Sequence, residues 1–436
     1  INMGTSSYFI IEGTTVTADG AVREHVPNVK FSRLTVNGAP FTDSDFTGRN
    51  YVIQANADSI YNLTLDDVRF RGGGYKNSNG QVLYHAVQLS SNAYDVASRD
   101  IKILNSRFEV CGGGIQIQGA RNVKINNCVF VSEDFGAENF TFEGMLEGIT
   151  LTAPSSGNPN YNNFRYGQSN KRASGDVSIT NCSFSGKQTV PNSPIPRRGW
   201  IYLTSQFTGP NVNISNCNFT GDILGSSSTN VYPDSVTHQT GTGILNMALT
   251  NVSVSNCNFA SYEYGVTQRK GNMRISSCSF VDIGEKSIEI DGDQSSAIHS
   301  FFFGSELFDG EANLFVEGCE FKSYDYDSSG DASQVAISIG ELTDNETNKE
   351  NDVIVKNCYF DGINQAIEIN PVFSTSSSGR FPIQCYSLID IYGCTFKSVN
   401  THVVNGDSLS RKSDANSDLN EDYFFCDTIN FSNNTI

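Results

Sequence analysis

No stretch of this 436-residue chain is apolar for long enough to cross a bilayer as a helix, so no membrane-spanning helix is read from it. No basic-then-apolar segment opens it either. Positive charge is in deficit: 29 Lys and Arg stand against 47 Asp and Glu, for a net charge of −18 and a pI near 4.6. That balance argues against nucleic acid or an anionic membrane as partner. An acidic shell suits neutral glycans or bound Ca²⁺, and it serves solubility equally well. An anionic glycan would have to find a local basic patch. The five histidines (25, 85, 238, 299, 402) are scattered, so no His-based triad or metal cluster is expected. No Cys-x-x-Cys spacing occurs among the eleven cysteines, which argues against zinc.

What the chain does have is one phrase, Asn122-Val-Lys-Ile-Asn-Asn-Cys-Val-Phe130, that returns at short spacing. Aligned on Cys128, the same slot holds Leu34, Val68, Ser106, Cys128, Cys182, Cys217, Cys257, Cys278, Cys319, Cys358, Cys394 and Asn434, twelve copies in all. Five and three residues before the slot every copy is apolar, as in Val123 and Ile125, and two residues after it ten consecutive copies carry Phe, from Phe70 to Phe396. Period two on either side of the slot means two strands. Just before the slot stands Asn in seven copies and Gly in two, residues that tolerate the left-handed backbone of a sharp bend. A third strand precedes each phrase, as in Ile115-Gln-Ile117, Ile201-Tyr-Leu203 and Ile367-Glu-Ile369. Three strands in 21 or 22 residues, the separations of Cys257 from Cys278 and of Ser106 from Cys128, describe one coil of a parallel β-helix.

The chain here resembles the right-handed parallel β-helix proteins of the pectin lyase-like superfamily, on repeats such as Ile214-Ser-Asn-Cys-Asn-Phe219 and Phe431-Ser-Asn-Asn-Thr-Ile436. The implied fold is all-β, a single solenoid domain over residues 1–436 with about twelve coils. Eight cysteines then form a buried column beside a column of Phe, and parallel side chains on neighbouring coils do not face each other as a disulfide requires. Both ends lack a visible cap, so an oligomer, a capping partner or a longer chain is expected to cover them. Proteins of this type act outside the cytoplasm, so the resemblance implies an extracellular or cell-surface location, with a secretion signal removed or lying upstream.

Long insertions (131 to 147, 153 to 174, 185 to 198, 220 to 241, 292 to 312, 340 to 351, 371 to 386 and 405 to 427) all fall on the borders of the third strand. Its outward side therefore reads as a walled trough. Along its floor stand Gln116, Thr150 and Tyr202, then Arg269, Lys270, Glu289, Asp291 and Glu368, with His299 in a loop beside them. In the lyases of the superfamily a Lys or Arg abstracts the proton α to a uronate carboxyl, while Ca²⁺ or a second cation neutralises that carboxyl. The resemblance so implies Arg269 or Lys270 as base and Glu289 and Asp291 as ligands. An Arg–carboxylate pair bridging adjacent coils is the structural alternative.

A hydrolase would use Glu289 and Glu368, two coils or ~9.6 Å apart, at the upper edge of the inverting range. The Asn-Thr-Asp and Gly-His-Gly signatures of the fold's glycosidases and the Asp-Pro-His of alginate epimerases are absent, and the sole Asp-Asp, Asp66-Asp67, belongs to a tight bend. Asp325, Asp327 and Asp331 space their oxygens like a Ca²⁺ loop without the distal bidentate Glu, or simply form an acidic turn. Two classes stay open. One is a lyase or hydrolase acting on an extended polysaccharide bound along the trough, with Tyr202, Gln116, Thr150, Asp291 and His299 as binding residues. The other is a non-catalytic adhesin, glycan-binding surface protein or spike component.

Overall fold

The computed structural model describes residues 9–11, 14–18, 21–27, 29–37, 53–57, 59–71, 75–76, 82–91, 98–109, 113–132, 145, 147–152, 176–186, 189–190, 199–204, 207, 211–221, 239–240, 242–248, 250–261, 264–269, 271–283, 286–290, 313–323, 335–340, 351–369, 386–406, 410–411, 423–424 and 426–436. They form two compact units, Ile1–Val252 and Ser253–Ile436. Each is built from parallel β-helix coils of the kind the repeated phrase predicts.

In the first unit the third strands pair in parallel in the order Phe9–Ile11, Ile53–Ala57, Val87–Ser91, Gly113–Gln118, Glu147–Thr152, Gly199–Leu203 and Thr242–Asn246. This is the face sheet. The strand before each bend stacks likewise: Ser98–Leu104 on Ala120–Asn126, then Val177–Thr180 and Asn211–Ser215. After the bend, Arg107–Glu109, Val129–Ser132, Ser183–Gly186 and Asn218–Thr220 form the third stack. Near the N-terminus Thr14–Ala18 pairs antiparallel with Ala21–Pro27.

The second unit repeats the plan, with face strands Tyr264–Gln268, Lys286–Ile290, Val335–Ile339, Gln365–Ile369 and His402–Gly406. Ile53–Ala57, Thr242–Asn246 and His402–Gly406 were not legible as face strands. In Thr242–Asn246 the outward position holds Leu245, which breaks the alternation.

All twelve residues before the slot take a positive φ, between 51° and 66°, including Arg33, Asp67 and Ser277. A single left-handed residue turns the chain from one strand to the next without a loop. Asn dominates because its amide also bonds along the stack. Asn127 Nδ2 donates to Asn105 Oδ1 at 2.9 Å, and Asn105 Nδ2 to Asp66 Oδ1 at 2.8 Å. A second polar ladder, unread in the sequence, runs six residues before the slot: Asn211 Nδ2 donates to Asp176 Oδ1 at 2.9 Å, and Asn313 Nδ2 to Asn272 Oδ1 at 3.1 Å.

Inside each unit the Phe column is continuous. Rings of Phe70, Phe108, Phe130, Phe184 and Phe219 stack at 4.7–4.9 Å, and those of Phe259, Phe280, Phe321, Phe360 and Phe396 at 4.8–5.1 Å. That distance is the strand spacing itself, and each fully buried ring contributes about 2–3 kcal/mol of transfer free energy. The rings leave little room on the facing strand. A Cβ on Gly265 would sit 2.5 Å from the Ser287 carbonyl oxygen and 2.9 Å from the Phe280 ring.

The eight slot cysteines are free and buried. Each thiol reaches a carbonyl oxygen and none is in a disulfide: Cys217 Sγ donates to Ser215 O at 3.3 Å, with Ile179 O on the coil before at 3.8 Å.

Candidate functional site

In the first unit, register puts Gln88, Gln116, Thr150 and Tyr202 in one column, each on its own strand, so three residues singled out in the sequence share a face. That face is not the open floor its alternation suggested. Thr150 is 2 % exposed and Tyr202 8 %, whereas Gln88, Gln116 and Gln118 are half-buried.

Tyr202 packs with Leu245 and Met247, and its hydroxyl donates to Met247 Sδ at 3.4 Å. It is therefore a packed side chain, not the open residue of a trough floor that was expected. Thr150 belongs to a buried polar trio that no sequence spacing announced. His85 Nε2 lies 3.2 Å from Glu147 Oε2 and 3.1 Å from Thr150 Oγ1, and the Thr150 hydroxyl also donates to Glu147 Oε2. The consistent proton arrangement has Nε2–H donating to Glu147 and Thr150. Nδ1 is buried without a hydrogen-bond partner among the described residues. Although the histidines are scattered along the sequence, His85 thus joins a carboxylate and a hydroxyl in the fold. Its 62-residue separation from Glu147 is bridged by coil stacking across an insertion.

On the same face Thr204 Oγ1 donates to Thr152 Oγ1 at 3.0 Å, and Gln118 Nε2 to Gln116 Oε1 at 3.3 Å. Gln88 and Gln116 of this column, and Gln118 of the next, are half-buried, with the Gln88 amide oxygen itself buried.

In the second unit, Thr267, the backbone of Glu289, Ser338 and Glu368 stand in one register column, so Glu289 and Glu368 are two strands apart as expected. Ser338 Oγ donates to Glu368 Oε2 at 2.9 Å, and Glu368 is half-buried. Arg269 follows the strand Tyr264–Gln268 directly and is half-buried. Lys270, Asp291, His299, Asp325, Asp327 and Asp331, and the side chain of Glu289, lie outside the described residues. Among the described residues no three His, Cys, Asp or Glu side chains converge on a metal site.

Among the described residues, Lys and Arg pair with carboxylates between coils on the other strands. In the second unit Glu317 joins Arg274 at 2.8 Å and Lys356 at 2.9 Å, and these contacts, Lys356 first, hold its carboxyl below the usual range. At the tight bends of the first unit an open concavity of about 650 Å³ is lined by Lys30, Ser32, Arg33, Asp66, Asp67 and Asn105. Asp67 is the left-handed residue there, so the Asp66–Asp67 pair is turn chemistry as its position implied.

After the bend in the same unit, Arg69, Arg71 and Arg107 surround Glu109. Arg69 Nε donates to Glu109 Oε1 at 2.5 Å and Arg107 Nε to Oε2 at 2.6 Å, while Arg71 Nε lies 3.0 Å from Oε1. Burial opposes ionisation of Glu109, but the hydrogen bonds from Arg107 and Arg69 outweigh it and hold the carboxyl below its usual range.

Coils of three parallel strands with a left-handed bend, a Phe column and a thiol column make this a parallel β-helix protein, as the likeness to the pectin lyase-like proteins implied. Two solved structures of PfbA, a surface adhesin of Streptococcus pneumoniae, are similar to it. One is 13% identical with a TM-score of 0.47, covering 95% of this chain and 81% of the other. The second is 12% identical with a TM-score of 0.41, covering 93% and 84%. No family model and no curated protein matches the sequence. Identities this low leave function to be read from this chain's own side chains.

Proposed function

We propose that this β-helix is a non-catalytic glycan-binding protein of the extracellular or cell-surface kind. The carrying observation is the division of labour on the face sheet of the first unit. The carboxylate, imidazole and hydroxyl of Glu147, His85 and Thr150 are buried and bonded to one another, while the half-buried residues Gln88, Gln116 and Gln118 set amides on two adjoining coils, the Gln88 amide oxygen turned inward. Amides offer both donors and acceptors at the strand spacing, which suits the hydroxyls of an extended neutral glycan. A general acid or base needs reach to substrate, and the buried trio has none.

The test is a panel of neutral plant, algal and animal polysaccharides. Calorimetry would run beside reducing-sugar and ultraviolet assays for cleaved or unsaturated products. Binding without product, weakened at least about tenfold in Q88A/Q116A, is the expected result. Product formation abolished by R269A or E368A would restore the lyase or hydrolase reading, and absence of binding across the panel would remove the glycan.

A further inference from the structure

We propose that Arg69, Arg71 and Arg107 form a second binding site, for the sulfate or carboxylate groups of an acidic polysaccharide. It lies on the strands after the bend, away from the glutamine column, and stands independently of the function proposed above.

The argument begins with register. Arg107 pairs with Arg69 and Glu109 with Arg71, so two guanidinium groups are stacked on neighbouring strands, an arrangement that is unfavourable when uncompensated. Glu109 compensates only one of three positive charges. It is 2 % exposed beneath side chains that are themselves 49 %, 51 % and 41 % exposed. Among the described residues, the contacts of the three guanidiniums go to Glu109, and they use one or two of the five N–H donors on each. The remaining donors belong to side chains that are about half exposed. The flanking strand contributes Val129 and Val131 in register with Arg107 and Glu109, so among the described residues that strand adds no carboxylate.

The patch is therefore a net +2 surface with fixed, preoriented forks on a chain of net charge −18. Buried Glu109 fixes the arginine stems from below, and planar forks of this kind match carboxylate and sulfate oxygens. A lone anion gains little against the overall field. A polyanion gains more, because neighbouring groups exchange over the three forks at high effective concentration.

The test uses dextran sulfate and polygalacturonate as probes, with uncharged dextran as control, on the full chain by calorimetry. At least one polyanion is expected to bind, and dextran is not. R71Q/R107Q leaves Arg69 on Glu109 and is expected to weaken binding by about tenfold or more. K102Q/K124Q removes the same charge from exposed positions before the bend and is expected to change affinity less than about twofold. Failure of both polyanions to bind, unchanged binding in R71Q/R107Q with intact circular dichroism, or equal loss in K102Q/K124Q would overturn the proposal.

Discussion

At the scale of single residues the coil is governed by what a buried polar atom requires. Glu147 and His85 are 2 % and 1 % exposed, and they are tolerated because Nε2–H and the Thr150 hydroxyl both point at the same carboxylate oxygen. Truncating one partner leaves the other buried without its charge-assisted bond. H85A is therefore expected to lower the unfolding free energy by about 3–5 kcal/mol, read from urea denaturation. H85Q, whose amide can donate in place of Nε2–H, is expected to recover part of it. A loss below about 1 kcal/mol in H85A would show that the trio is not holding these coils together.

At the scale of the element, the thiol column combines packing with proton affinity. Hydrogen bonding to the cysteine one coil before, with burial added, pushes Cys182, Cys278 and Cys319 up to about 12. Unfolded cysteines ionise near about 8.5. Between those values the unfolded chain holds fewer protons than the folded one, so stability falls as pH rises. The contribution is complete below about pH 8.5 and lost progressively toward pH 12, at up to ~1.4 kcal/mol per thiol per pH unit. Urea midpoints at pH 7, 9 and 10.5 are expected to fall steeply. C278A/C319A is expected to show a shallower fall, and an identical slope in that variant would assign the alkaline loss to other groups.

The same column explains what the sequence made visible. Positions such as Cys128 and Phe130 meet Cys182 and Phe184 on the next coil, so like residues pack on like, and the repetition is legible in one dimension. Burial of Thr150 and Tyr202 was not legible, because alternation gives the side to which a residue points and not what lies beyond it. Nor was His85 with Glu147, whose meeting depends on how an insertion returns to the stack. The arginine trio left a trace that went unread: Arg69 and Arg107 both stand one residue after the slot, and their shared column puts two like charges one strand apart.

At the scale of the whole molecule, a small basic patch competes with a large acidic field. The Debye length is about 30 Å at 0.01 M salt, about 10 Å at 0.1 M and about 3 Å at 1 M. In dilute salt the field of a net −18 reaches an approaching polyanion before the guanidinium forks can engage it. Near 0.1 M that repulsion is confined to the surface, while the forks still act at contact. At 1 M the contact itself is screened. Affinity for a sulfated polysaccharide is therefore expected to pass through a maximum near about 0.1 M salt, unlike the steady decline of a uniformly basic protein. Calorimetric isotherms with dextran sulfate at the three salt concentrations would show the maximum in the native sequence and its loss in R71Q/R107Q. A steady decline from 0.01 M upward would mean that the patch attracts polyanions without interference from the charge of the rest of the chain.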